Sequence, residues 1–197
     1  MPYKEPPYTV ISRSGGVEYR QYEPYLVAET VVAGSADFDD AGAEGFRRLF
    51  RYIAGANTGR AKIAMTVPVS QAAPSEKIAM TVPVHQAGSA SGWRVAFMLP
   101  GQYTPDTAPA PTDSRVSVVA MPGKLTAALR YSGRWTESNY CAKRDELLRI
   151  LAAAGIKPVA EPRLARYNAP FSLPLLRRNE VLIEVNKVPD QVTPNGR

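Results

Sequence analysis

The octapeptide KIAMTVPV occurs twice, at 62–69 and 77–84, and the echo runs on through Gln71/Gln86 and Ala72/Ala87. The exception is Ser70 in the first copy against His85 in the second, and His85 is the sole histidine of the chain. Met65 and Met80 hold matching places in the copies. Their thioethers are soft donors and adaptable packing groups. Lys62 puts a cation at the head of the first copy. These residue types allow three readings: a tandem repeat, a structural hairpin, or a site built around one imidazole. Hydrolytic chemistry finds little support. A Ser-His-Asp triad would have to use His85, beside which no nucleophile stands, and the chain has no G-x-S-x-G elbow, phosphate loop or H-E-x-x-H. One cysteine, Cys141, allows no intrachain disulfide, and one cysteine with one histidine argues against a protein zinc site.

The elements around these residues constrain them. Within each copy Ile, Met, Val and Val alternate with Lys, Ala, Thr and Pro, the period of a strand. Two copies at a period of 15 are too short for a solenoid, and the loop SQAAPSEK suits a hairpin. Pairing Val69 with Ile78 would set Met65 opposite Val82 and Val67 opposite Met80 on one face. Pro68 and Pro83 call for an edge or a bulge near each end. In this register His85 lies on the face of Ala79, Thr81 and Pro83, near Lys62. It joins the methionines only if a bulge after Pro83 shifts the register.

A helix is predicted from Asp37 to a stop at Gly55, with Asp37, Asp39 and Asp40 favouring its first turn. Phe46, Leu49, Phe50 and Ile53 fall within about a 100° arc, and Asp40, Glu44, Arg47, Arg48 and Arg51 fall opposite. The arginines therefore read as a solvated face rather than an anion clamp, with Tyr52 on the flank. A second helix is predicted over 137–154, capped by Thr136 or Ser138 and stopped by Gly155. Its apolar side is Tyr140, Leu147, Leu148, Ile150, Leu151 and Ala154. Arg144 falls inside that arc, where it either snorkels or pairs with a buried acid or a ligand anion. Cys141, at the arc's edge, reads as a small buried hydrophobe. Strands are predicted at 8–13, within 17–33 (bent or split at Pro24), and at 62–70, 77–86, 93–99, 115–121, 125–131, 163–168 and 180–185. The result is an α+β fold: a pseudo-twofold β-β-α-β-β repeat forming a curved antiparallel sheet or distorted barrel flanked by two helices. One domain is expected over 1–197, with its core at about 8–187 and a polar tail at 188–197.

The totals bound the function classes. Of 197 residues, 45% are hydrophobic and 21% charged, an ordinary globular balance. A net charge of +6 favours anionic partners, but no helix-turn-helix or aromatic–basic interleaving points to nucleic acid. No apolar run approaches the roughly 18–20 residues of a membrane span. A soluble cytoplasmic protein, monomeric by preference, is expected, or a periplasmic or secreted one if a leader has been removed.

FRRLFRYIAGAN followed by KIAMTVPV, then VAFMLP, the RYSGRW turn and RYNAPFSLPLLRRNEV form a long ordered series of motifs over about residues 8–187. In these the chain resembles the SOUL/heme-binding protein family, related in fold to GyrI-like effector-binding domains. The resemblance implies a distorted antiparallel barrel with two helices, non-covalent binding of heme or another tetrapyrrole, and a largely apolar pocket near the first helix and the sheet. The implied roles are carrier, buffer or sensor. The alternatives are a tetrapyrrole-modifying or heme-degrading enzyme, and a small-molecule or interaction module with incidental heme binding. Heme asks for an apolar slot, cations for its propionates and, in some proteins, an axial donor. The candidates are Met65, Met80, His85, Lys62, Tyr52, Arg144, Tyr167 and Phe171, with His85 the candidate iron ligand. Tyr167 and Phe171 are two aromatics of a turn that can wall a cavity. Arg177-Arg178-Asn179-Glu180 reads as a structural anchor.

Overall fold

The computed structural model describes residues 5–33, 37–72, 92–168 and 171–189. Among these residues the chain runs β1 (Tyr8–Ser14), β2 (Val17–Tyr22), β3 (Tyr25–Ala33), α1 (Phe38–Ile53), β4 (Val69–Ala72), β5 (Gly92–Met98), β6 (Val116–Met121), β7 (Leu125–Tyr131), α2 (Glu137–Ala153), β8 (Arg163–Arg166) and β9 (Asn179–Glu184), with a 3-10 turn at Pro174–Leu176 before β9. The strands form one curled antiparallel sheet in the order β1-β2-β7-β9-β8-β4-β5-β3-β6.

That order contains the expected pseudo-twofold repeat. β4 pairs with β8 at the centre. Outward from that pair the two sides read β4-β5-β3-β6 and β8-β9-β7-β2. The repeating unit is thus β2-β3-α1-β4-β5, matched by β6-β7-α2-β8-β9. Each half lends its first strand to the other: β6 lies on β3 and β2 on β7. β1 stands outside the repeat as an edge strand, joined to β2 by Gly15 and Gly16, whose φ of 58° and 77° suits a two-residue hairpin turn.

Local chemistry sets the helix ends. The Asp37 carboxylate accepts the Asp40 N–H at 2.8 Å, and Asp39 and Asp40 face the positive end of the α1 dipole. The Thr136 hydroxyl accepts the Asn139 N–H at 3.3 Å at the start of α2. Gly55 and Gly155, at φ of 120° and 64°, leave the two helices in the left-handed region that glycine tolerates. The buried side of α1 is rotated from the predicted arc. Phe38, Ala41, Gly42, Gly45, Leu49, Tyr52 and Ile53 are buried, while Phe50 is 49% exposed. The reason is close approach: a Cβ on Gly45 would overlap the Val95 side chain. Small residues let the helix sit low on the sheet, and Phe46 and Phe50 move to its shoulder. On the same face α2 buries Tyr140, Leu147 and Leu151 against Val17, Tyr19, Leu129, Val181 and Ile183, while α1 covers Val95, Phe97 and Leu26.

The doubled segment departs from expectation. Residues 62–68 of the first copy join no strand ladder among the described residues, and β4 begins only at Val69. Val69 cannot pair with Ile78 in the ladder, because both its edges are taken, by Phe97 of β5 and Arg166 of β8. The second copy, with Met80 and His85, lies outside the described residues.

Candidate ligand-binding site

A groove of about 740 Å³ opens between α1 and the sheet. Strand parity builds its floor. Val69 and Gln71 of β4, Val95 of β5 and Arg166 of β8 all point to the helix-covered face, and Val69 is the register partner of Arg166. Gly42, Ala43 and Phe46 of α1 form one wall, and Phe46 is held edge-on to Phe97 at 5.2 Å. Met65 and Val67, from the irregular segment before β4, add to the lining. Trp135, Asn168 and Phe171 do so too. Trp135 is oriented by donating its indole N–H to the buried Asn179 carboxamide at 2.7 Å. Asn168 is oriented by accepting the Arg178 N–H at 2.6 Å.

Polar groups on the groove are few. Asp39 and Arg47 lie on its rim, and Arg47 is paired with Glu44 at 2.8 Å. Arg166 is different. Its Nη2 donates to the Gln71 carboxamide oxygen at 3.1 Å, and its guanidinium lies 5.3 Å from the Phe38 ring centre and 5.2 Å from that of Trp135. Its Nε is buried without a hydrogen-bond partner among the described residues, where it also makes no ion pair. Burial lowers its affinity for the proton, though guanidinium stays charged across the accessible pH range.

Of the sequence candidates, Met65 and Phe171 come to the groove, Phe171 as a 91% exposed ring at its mouth. The other described candidates go elsewhere. Tyr52 is buried in the core beneath α1, its hydroxyl donating to the Pro109 carbonyl at 2.8 Å. Lys62 is exposed on the segment after α1 and is not among the lining residues. Arg144 pairs with its neighbour Asp145 at 2.8 Å on the outer side of α2, with no buried acid involved. Cys141 is partly buried against the α2 core. Tyr167 faces the opposite side of the sheet, where its hydroxyl donates to Glu180 at 2.7 Å.

That opposite side carries a saturated ionic cluster. The Glu180 carboxylate, fully buried, accepts two bonds from Arg20 at 2.7 and 3.0 Å, one from Tyr167 and one from Arg178 at 3.0 Å. Burial would raise its pKa, but the hydrogen bond and charge of Arg20, with Tyr167 and Arg178 behind, hold it below the ordinary value. Nearby, a cleft of about 300 Å³ pairs most of its charges internally, Arg94 to Glu29 at 3.5 Å and Lys124 to Glu184 at 2.6 Å.

The residue missed in the sequence is Arg166, one step from the chosen Tyr167. Its signal was parity: in RLARYN, Leu164 and Arg166 share a face, so if Leu164 packs under the helices, Arg166 does too.

Comparison with known proteins agrees with this architecture. The SOUL heme-binding protein family matches residues 3–184. Heme-binding protein 1 of Xenopus laevis is 29% identical over 165 residues, covering 83% of this chain and 80% of the relative. Heme-binding protein 1 of Mus musculus is 28% identical over 181 residues, 89% of each. Among solved structures, the EcmrR C-terminal domain superposes with a TM-score of 0.62 at 10% identity, covering 92% of this chain and 99% of that one. A hydrolase from Listeria innocua does so at 0.57 and 12%, covering 89% and 94%. At such identities these two likenesses concern the fold alone. With the family's pattern spanning nearly its whole length, the chain belongs to the SOUL heme-binding protein family.

Proposed function

We propose that the groove between α1 and the sheet binds heme, or another tetrapyrrole, non-covalently, and that the protein is a carrier, buffer or sensor of that ligand. The carrying observation is the groove itself: about 740 Å³, walled by Phe46, Met65, Val67, Val69, Val95, Trp135 and Phe171, with a half-buried cation set in an apolar floor. Its size falls in the range of small-molecule sites, and its chemistry matches their usual form, mostly apolar with a few placed polar groups. Membership of a heme-binding family and the names of the curated relatives support the same ligand.

The residues present fit the group. Aromatic and aliphatic side chains would take the macrocycle, Arg166 and Arg47 would face its acidic substituents, and the Met65 thioether is the soft donor on the described lining. His85 stays a candidate iron ligand on sequence grounds. Bound iron would supply redox and ligand-binding chemistry. The protein's own part is to exclude water from one face, hold the ring and compensate its charge. In this reading the chain acts as a monomeric single domain in the cytoplasm and takes no nucleic acid.

Hemin titration tests the proposal. A saturable Soret shift at micromolar concentration is expected, and its loss in Met65→Glu would locate the ligand. No saturable shift in the wild type sinks the reading. A Soret band that decays to bilin absorption on adding ascorbate and oxygen would replace carriage with degradation. His85→Ala with an unchanged spectrum removes His85 from the site.

A further inference from the structure

Arg166 is the least explained charge in the described molecule. Its direct contacts on the helix-covered face are apolar or neutral, among them Val69, Val95, Gln71, Phe38 and Trp135, while Asp39 and Arg177, the latter stacked on the same Trp135 ring, act on it through space. Folding has removed much of its water, which costs several kcal/mol for an ion unless partners replace it. The replacements are partial. One N–H reaches Gln71, two aromatic rings lie over or beside the plane, and Nε has no partner among the described residues. The nearest acid on the groove, Asp39, lies beyond ion-pair distance, although its charge favours the protonated guanidinium.

The surroundings aim this side chain rather than neutralise it. Gln71 is buried, and its Nε2 donates to the Phe38 carbonyl at 2.8 Å, so its oxygen is turned toward Arg166. Gly42 leaves room at the same spot: a Cβ there would sit 2.9 Å from the Gln71 oxygen and 3.6 Å from Nη1 of Arg166. Trp135 is fixed in turn by Asn179. A guanidinium fork held in an apolar groove with donors to spare suits a carboxylate, which it can take through paired N–H···O bonds.

Resting on the groove as the tetrapyrrole site, we infer that Arg166 is its carboxylate anchor, with Gln71 as the positioning residue, and that the groove selects flat apolar ligands bearing a free carboxylate over their neutral esters. Ring burial supplies sequence-tolerant affinity, and Arg166 supplies the choice between acid and ester, because only the acid completes the partner set of a cation that is already desolvated.

Metal-free protoporphyrin IX and its dimethyl ester make the test, since neither brings iron coordination. Porphyrin fluorescence titrations are run on the wild type, Arg166→Met and Arg166→Lys, with folding checked by circular dichroism. The wild type is expected to prefer the free acid by about tenfold or more, the scale of a charge-assisted hydrogen bond. Arg166→Met should lose that preference by weakening acid binding while leaving ester binding unchanged. Arg166→Lys should recover part of it with a steeper salt dependence. Equal loss of acid and ester in Arg166→Met, or no acid preference in the wild type, overturns the anchor and leaves the groove reading standing. Failure of both porphyrins to bind the wild type overturns both. The wild-type ratio needs no variant to fold.

Discussion

Arg20 and Arg166 are both arginines taken largely out of water, on opposite faces of the same sheet, and they are treated in opposite ways. Arg20 is 3% exposed and meets Glu180 through two bonds, Glu18 through Nε at 2.9 Å and Nη2 at 2.7 Å, and the Tyr22 hydroxyl. Arg166 has Gln71 and two aromatic rings. One guanidinium is saturated and the other keeps an idle donor, the contrast on which the proposed carboxylate anchor rests. The β1-β2-β7-β9 side of the sheet is closed electrostatically; the centre, where β4 meets β8 under α1, is left as an open groove.

The sharpest way to break this contrast is at Glu180. Glu180→Ala leaves Arg20 buried without its main carboxylate and removes a partner from Tyr167 and Arg178. Breaking a buried pair from one side costs about 3–5 kcal/mol, readable as a lowered urea midpoint at unchanged slope. The pH dependence carries the same sign. Because the folded carboxyl is held below its ordinary value, its contribution is present above the unfolded pKa of about 4.3 and fades as pH falls through the folded one. Glu180→Gln should therefore be less stable at neutral pH and lose less on acidification than the wild type. A parallel acid limb in the two proteins would show that the cluster adds little.

Replacing each arginine by methionine sharpens the comparison from the other side. Arg20→Met leaves the buried Glu180 carboxylate with only Tyr167 and Arg178 and should again cost about 3–5 kcal/mol. Arg166→Met strands nothing but a carboxamide oxygen and removes a desolvated charge, so its stability should stay within about 1 kcal/mol of the wild type, or rise. A loss for Arg166→Met as large as for Arg20→Met would make Arg166 a structural residue.

Met65→Glu comes next in size. Met65 is half-buried in the groove lining, so an added carboxylate keeps access to water, and the stability change should stay below about 1.5 kcal/mol. Hemin affinity should nevertheless fall at least tenfold, since the carboxylate must be desolvated when an apolar ring arrives. Unchanged affinity would place the ligand outside the groove.

The sequence was informative about elements and poor about sides. Helix ends were readable because capping aspartate, threonine and glycine act within a few residues. The pseudo-twofold repeat was readable because the two halves spell the same order. The exchange of β2 and β6 between halves was not, since strand partnership is a long-range choice that local pattern does not encode. The doubled octapeptide misled for the same reason: identical sequence suggested mutual pairing, but β5 and β8 compete for the edges of β4 and occupy both. Site residues suffered from parity. Tyr167 and Arg166 are adjacent, yet one step along a strand separates the ionic cluster from the groove. The rotated buried side of α1 was equally hidden, because Gly42 and Gly45, which contribute nothing to an apolar arc, decide how closely the helix sits.

Arg144 gives the smallest effect and tests the helix-wheel reading that singled it out. Placed by the wheel inside an apolar arc, it would be costly to remove if it neutralised a buried acid. The structure instead gives it Asp145, next along the chain, with side chains 36% and 57% exposed at 2.8 Å. Water and salt screen such a pair, and exposed pairs contribute about 0–1 kcal/mol. Arg144→Ala should therefore shift stability by no more than about 0.5 kcal/mol and leave both hemin affinity and the acid–ester preference unaltered. A larger loss would mean that the guanidinium stem packs on Tyr140 and the α2 core more than its ion pair suggests. A change in ligand selectivity would show that the two helix-bearing halves communicate, and would blur the line drawn between the closed and open sides of the sheet.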